Sequence, residues 1–284
     1  MNIKPIQQRL QQYSIGSDIE RMQALREITQ EIVLAALGRG EFFKYALFQG
    51  GTCMRIFHGL NRFSEDLDFI LRNPDPGFVM KDHLVLLTQE LAAFGYVPEI
   101  IDREKSDATV RKLFIKDESL GKLVILRNTN RSVRLPAIKI KLEIDTNPPA
   151  GSGSELKYLD FPFVSAVAVQ DLPSLFAGKI HALLCREYVK GRDWYDLIWY
   201  TGRSCPINFA FLTAAIDQTG PWQGHGIIVD HSWVVENLKK KIQSLEWKQV
   251  ADDVRRFVPV FDQPSLNLWS ADLFIDRLPR IPRD

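Results

Sequence analysis

Phe42-Phe-Lys-Tyr-Ala-Leu-Phe48, then Gln49-Gly50-Gly51-Thr52, then Asp66-Leu-Asp-Phe-Ile-Leu71, is the stretch on which the fold turns. Its first segment is aromatic and short, which predicts a buried strand, and the paired glycines end it. Met54 to Leu60 reads as a helix and Asp66–Leu71 as a second strand. Strand, glycine turn, helix and strand in this order predict a mixed sheet with helices on it.

Working outward, Ser17 followed by Glu20 is a capping-box pattern, and Ile19, Met22, Leu25, Ile28, Ile32 and Val33 recur at helical spacing up to a stop at Gly38. Phe78 to Phe94 reads as a helix closed by Gly95, and Val110–Ile115 with Lys122–Leu126 as a hairpin. Ile138 to Asp145 alternates strictly: Ile138, Ile140, Leu142 and Ile144 share one face, and Lys139, Lys141, Glu143 and Asp145 the other. Thr146 to Ser154 breaks all periodicity, and beyond the short apolar run Phe161–Val169 the chain is mainly helical in pattern. Asp171 or Ser174 caps a helix to about Tyr188, a second starts near Asp193, and Ser232 begins a long one towards Phe257. The expectation is an α+β fold, with residues 1–169 forming a mixed-sheet catalytic domain and 170–284 a mainly helical domain that completes the active-site cleft.

The 284 residues carry 36 Lys+Arg against 35 Asp+Glu, and with 45% hydrophobic and 25% charged residues the composition excludes a disordered chain. The charge is uneven. From Arg103 to Lys141 there are 11 basic and 4 acidic residues, +7, which leaves −6 elsewhere for a total of +1. That region either approaches RNA phosphates or is a solvated strand face, and no aromatic-interleaved RNA-binding signature accompanies it. Three cysteines without C-x-x-C spacing imply neither a disulfide framework nor a zinc site. No apolar leader opens the sequence and no apolar run approaches the ~18 residues of a membrane span, so a cytoplasmic protein without membrane contact is expected. The five histidines are scattered, with no H-E-x-x-H, which leaves little support for a hydrolase.

Asp66 and Asp68, two apart on a strand, project from one face, and Glu143 or Asp145 offers a third carboxylate from another strand. Such a trio suits magnesium, which takes hard oxygen ligands and pairs with nucleotide phosphates. A solvated Asp pair is the structural alternative. Gly50-Gly51-Thr52 leads from a strand into a helix whose first N–H groups are free to meet an anion, although a tight turn needs the same glycines. The conjunction of the two features is stronger than either.

Phe48-Gln-Gly-Gly-Thr-Cys-Met-Arg55, Asn61-Arg-Phe-Ser-Glu-Asp-Leu-Asp-Phe69, Ala177-Gly-Lys-Ile-His-Ala182 and Lys190-Gly-Arg-Asp-Trp-Tyr-Asp-Leu197 together resemble the nucleotidyltransferase toxins of the AbiEii/AbiGii abortive-infection family, within the DNA-polymerase-β-like superfamily. The resemblance implies Mg2+-dependent transfer of a nucleoside monophosphate from an NTP to an acceptor hydroxyl, with pyrophosphate leaving. It also implies a type IV toxin or phage-defence role, a tRNA acceptor end, a possible antitoxin partner and no DNA partner. By the resemblance, Gly50, Gly51 and Thr52 would receive the triphosphate, Ser64 would help hold it, and Asp66 and Asp68 would bind metal; Glu143, in the Lys-hydrophobic-Glu-hydrophobic context of the family, fits the third carboxylate and general base better than Asp145.

Lys179 has Leu172, Leu175, Phe176 and Leu183 as helical neighbours, so its stem runs along a buried face. It is either a snorkelling lysine or, by the resemblance, a triphosphate counter-charge. Asp193 fits a helix N-cap, and by the resemblance Asp193 or Asp196 orients Lys179 or the nucleotide. Arg55 and Arg62 are either phosphate ligands or partners that balance the acidic cluster. Two other readings stay open: nucleotidylation of a protein hydroxyl, as in AMPylation, and a catalytically silent nucleotide-binding partner.

Overall fold

A computed structural model describes residues 4–102, 119–128 and 138–283. The chain divides into two units. The first contains residues 1–58, 64–148 and 155–169, and the second contains 59–63, 149–154 and 170–284.

In the first unit, α1 (Lys4–Leu10) precedes α2 (Asp18–Arg39). Ser17 Oγ accepts from the Glu20 amide at 3.2 Å, while the Glu20 carboxylate accepts from the Gly16 amide at 2.8 Å, one residue earlier than a reciprocal capping box. Helix α2 does not stop at Gly38. Gly38 lies inside it, where a Cβ would fall 2.6 Å from Ser165 Oγ, so this glycine serves close approach between helix and sheet. The helix is buried over most of its length, and several of its buried polar groups have partners. Arg9 pairs with Glu31 at 2.5 Å, Tyr13 Oη donates to Glu27 at 3.0 Å, and Thr29 Oγ1 donates to the Leu25 carbonyl at 2.7 Å.

The run Phe42–Phe48 is not one strand. Phe42–Lys44 forms a 3-10 turn and β1 covers only Ala46–Gln49, because the Phe42 ring is drawn into an edge-to-face contact with Phe69 at 5.0 Å. There follow α3 (Gly50–His58), β2 (Asp66–Leu71), α4 (Lys81–Ala93), β3 (Tyr96–Asp102), β4 (Ser119–Asn128), β5 (Ile138–Asp145), β6 (Ser154–Leu159) and β7 (Ser165–Gln170). Helix α4 is thus shorter than the expected Phe78–Phe94. Among the described residues, seven strands lie in the order β3, β4, β5, β2, β1, β7, β6. Strand β2 is antiparallel to β1 and parallel to β5, which makes the sheet mixed. Lys122–Leu126 lies in β4, whose partners are β3 and β5, and Val110–Ile115 is outside the described residues.

The β2–β5 register places Leu67 beside Leu142 and Phe69 beside Ile144, all four in the core. Burying each such side chain contributes about 1.5–3 kcal/mol. A slip of one residue would turn Asp68 into that core, so the apolar face fixes which way the acidic face points.

The second unit is mainly helical: α5 (Leu172–Cys185), α6 (Gly191–Gly202), α7 (Phe209–Gln218), α8 (His231–Gln243), α9 (Trp247–Arg255) and α10 (Ala271–Ile275). Asp171 caps α5, its carboxylate accepting from the Ser174 amide at 3.0 Å, and the helix ends three residues before Tyr188. The expected long helix from Ser232 is two. Asp230 is the cap of α8, accepting from the Trp233 amide, and the chain breaks at Ser244–Glu246 so that Trp247 can stack on Phe274 at 4.0 Å and meet Trp194 edge-on at 5.2 Å. The Phe176 and Tyr200 rings stack at 4.2 Å between α5 and α6.

Candidate active site

The site in the first unit is built on the β1–α3 turn. Gly50 has φ +79°, and a Cβ there would fall 2.4 Å from Asp68 Oδ2. Glycine is required twice over, for the left-handed backbone and for the approach of the carboxylate. Thr52 is fully buried, and its hydroxyl donates to the Asp66 carbonyl, tying α3 to β2. The Thr52 side chain therefore fastens the turn. Ser64 lies two residues before β2, its carbonyl accepting from Gln30 Nε2 at 3.2 Å. Arg55 pairs with Glu27 of α2 at 2.8 Å.

Asp66 and Asp68 share a face of β2, and the parallel register sets Lys141 level with Asp66, Glu143 with Asp68 and Asp145 with Ile70. Burial, then the negative charges of Glu143 and Asp66, and a hydrogen bond with Glu143 push the Asp68 carboxyl up to about 7, against an opposing effect of Lys141. The Lys141 ammonium pairs with Glu143. Asp145 turns to local work, its Oδ1 accepting from the Asn147 amide at 3.1 Å.

Among the described residues no three His, Cys, Asp or Glu side chains already converge as a metal-holding group. The donor set nonetheless fits a hard divalent cation. Asp66, Asp68 and Glu143 are oxygen donors in mutual repulsion, and a cationic stand-in, Lys141, already sits on one of them. None of the three cysteines is poised as a nucleophile, since burial pushes the Cys53, Cys185 and Cys205 thiols up.

In the second unit Lys179 does not snorkel. Its ammonium meets Asp193 Oδ1 at 2.6 Å and Asp196 Oδ2 at 2.8 Å. Asp196, 0% exposed, is also gripped by Arg62, 2% exposed, whose Nε and second guanidinium nitrogen donate to its two oxygens at 2.6 and 2.7 Å. Asp193 lies inside the first turn of α6, so it is not an N-cap; its second oxygen takes Arg186 at 2.5 Å. Burial alone would raise the Asp193 carboxyl, but Lys179 and Arg186 hold it well below the usual carboxylate range. Three cations and two carboxylates leave this network with one net positive charge. Gly191 opens the same helix where a Cβ would meet the Val250 carbonyl at 2.1 Å, so the helix start packs directly on α9.

A family model described as "Nucleotidyl transferase AbiEii toxin, Type IV TA system" matches residues 32–276. The chain belongs to this family. The AbiEii assignment makes it a nucleotidyltransferase, and all four motif segments fall within the match.

Two solved structures from Helicobacter pylori are similar to this AbiEii chain in fold. One carries a provisional nucleotidyltransferase assignment: it has 15% identity and a TM-score of 0.52, with 95% of this chain and all of that one covered. The other, JHP933, has 17% identity and a TM-score of 0.54, with 94% of this chain and 96% of that one covered. No curated protein matches the chain. Among the described residues no helix is long and apolar enough to cross a membrane.

Sequence reasoning missed Lys141 and Arg186 as partners within the motifs. The alternation of β5 already put Lys141 on the acidic face and was a usable signal. Arg186, after the end of α5, had none beyond its charge.

Proposed function

We propose that this AbiEii enzyme transfers a nucleoside monophosphate from an NTP to the terminal hydroxyl of an RNA of the tRNA class, and that it is the toxin of a pair whose antitoxin is a separate protein. The observation that carries the chemistry is the alignment of Asp66, Asp68 and Glu143 on one sheet face beside the Gly50 turn. The acceptor rests on the basic excess between Arg103 and Lys141, which suits a polyanion.

In this reading the first N–H groups of α3, at Gly50 and Gly51, receive the triphosphate. Asp66, Asp68 and Glu143 hold Mg2+, which when bound neutralises phosphate charge and favours ionisation of the attacking hydroxyl. Glu143 is preferred to Asp145 because it stands level with Asp68, whereas Asp145 is engaged by Asn147. The acceptor oxygen forms a bond to the α-phosphorus in line with the bridging oxygen that leaves as pyrophosphate, and Glu143 takes the hydroxyl proton. An ammonium has three donors, of which Asp193 and Asp196 engage two of Lys179's.

Incubating the purified protein with each α-labelled NTP, Mg2+ and total RNA tests this reading. Label in RNA is expected. Label confined to protein would move the acceptor to a protein hydroxyl, and label in neither would overturn the transfer reading.

A further inference from the structure

Lys141 stands level with Asp66 on the neighbouring strand, on the face that carries Asp68 and Glu143, and its ammonium pairs with the Glu143 carboxylate. The same charge opposes the accumulation of negative potential at Asp68. With its side chain 22% exposed, the lysine is screened only in part by solvent. Its position two residues before Glu143 on a strand keeps it on the acidic face whatever rotamer it adopts.

We infer that Lys141 is a built-in counter-ion of the carboxylate group: without metal it neutralises the charge a divalent ion would neutralise, and it thereby lowers the enzyme's affinity for that ion. The inference rests on the reading of Asp66, Asp68 and Glu143 as metal ligands. A lysine suits the task because its ammonium is a compact charge on a flexible stem, able to leave Glu143 without disturbing the strand. Removing it makes the carboxylates repel one another more strongly in the metal-free protein and leaves them a better cation trap.

The test is Mn2+ binding to the full chain, without nucleotide, followed by the paramagnetic resonance signal of free Mn2+. Lys141→Met is expected to bind Mn2+ about tenfold more tightly than the wild type, the size of one unit charge at a partly solvated site. The gain should shrink as salt is raised. Lys141→Arg, which keeps the charge, is expected to match the wild type, and Asp68→Asn to bind more weakly. Without metal, Lys141→Met should melt at a lower temperature than the wild type and gain more from added Mn2+. Lys141→Gln replaces Lys141→Met if the latter does not fold. Equal or weaker binding by the uncharged variant, with Asp68→Asn still weakened, would overturn the counter-ion role while sparing the metal site. If neither the wild type nor Lys141→Met binds Mn2+, or if Asp68→Asn binds as well as the wild type, the metal-ligand reading fails and the inference fails with it.

Discussion

Asp68 and Glu143 stand side by side on parallel strands and share a hydrogen bond, and the nearby Glu143 charge helps to raise the Asp68 carboxyl. Sheet register, set by the apolar residues on the opposite face, is what creates this pair. Its electrostatic consequences are measurable without substrate.

Stability should depend on pH through Asp68. Its carboxyl titrates near 7 in the folded chain and near its ordinary value when unfolded, so between about pH 4 and 7 the native state holds a proton the unfolded state has lost. Stability attributable to this group therefore falls as pH rises through that window, by on the order of a few kcal/mol, and is level above it. Denaturant titrations across the range should show the slope in the wild type and its loss in Asp68→Asn.

Gly50→Ala should damage the turn rather than the core. The substitution forces a side chain into a backbone with φ +79° and against Asp68 Oδ2. A loss of about 1–3 kcal/mol is expected by chemical denaturation, with transfer activity reduced beyond what the unfolded fraction explains.

Breaking the Arg62–Asp196 fork should be among the costliest single changes in the second unit. Arg62→Met leaves Asp196 buried with Lys179 as its remaining named cation, and a loss of about 3–5 kcal/mol is expected. The double variant Arg62→Met with Asp196→Leu should lose less than the sum of the singles, which a double-mutant cycle measures.

Asp193 has the opposite sign to Asp68. Lys179 and Arg186 depress its carboxyl, so its contribution is present above the unfolded pKa and is lost only as pH falls through the lower folded value. Asp193→Asn should destabilise the chain at pH 7 and lessen the loss of stability below about pH 4. Melting temperatures at the two pH values check both signs.

Much of this site was legible from local pattern. Alternation along Ile138–Asp145 identified both the strand and its acidic face, and the Gly50-Gly51 turn and the Asp66, Asp68 pair followed from short-range chemistry. Periodicity alone did not separate Glu143 from Asp145, because a period of two puts both on that face and long-range pairing sets which stands level with Asp68. Arg62 likewise looked like a phosphate ligand or a balancing charge, and its partner lies 134 residues away. Asp193 satisfied the local rule for a cap, yet the helix begins earlier because Gly191 packs on the Val250 backbone. In each case the deciding contact is tertiary.

The most direct measurement is the rate of labelled nucleotide transfer by Asp66→Asn, Asp68→Asn, Glu143→Gln and Asp145→Asn beside the wild type, each variant checked for folding. The first three are expected to lose at least about 100-fold, as removal of a charge-stabilising group from a reaction centre does, with Asp145→Asn close to wild type. Full activity in Asp68→Asn or Glu143→Gln, or a loss confined to Asp145→Asn, would contradict the assignment of the catalytic carboxylates.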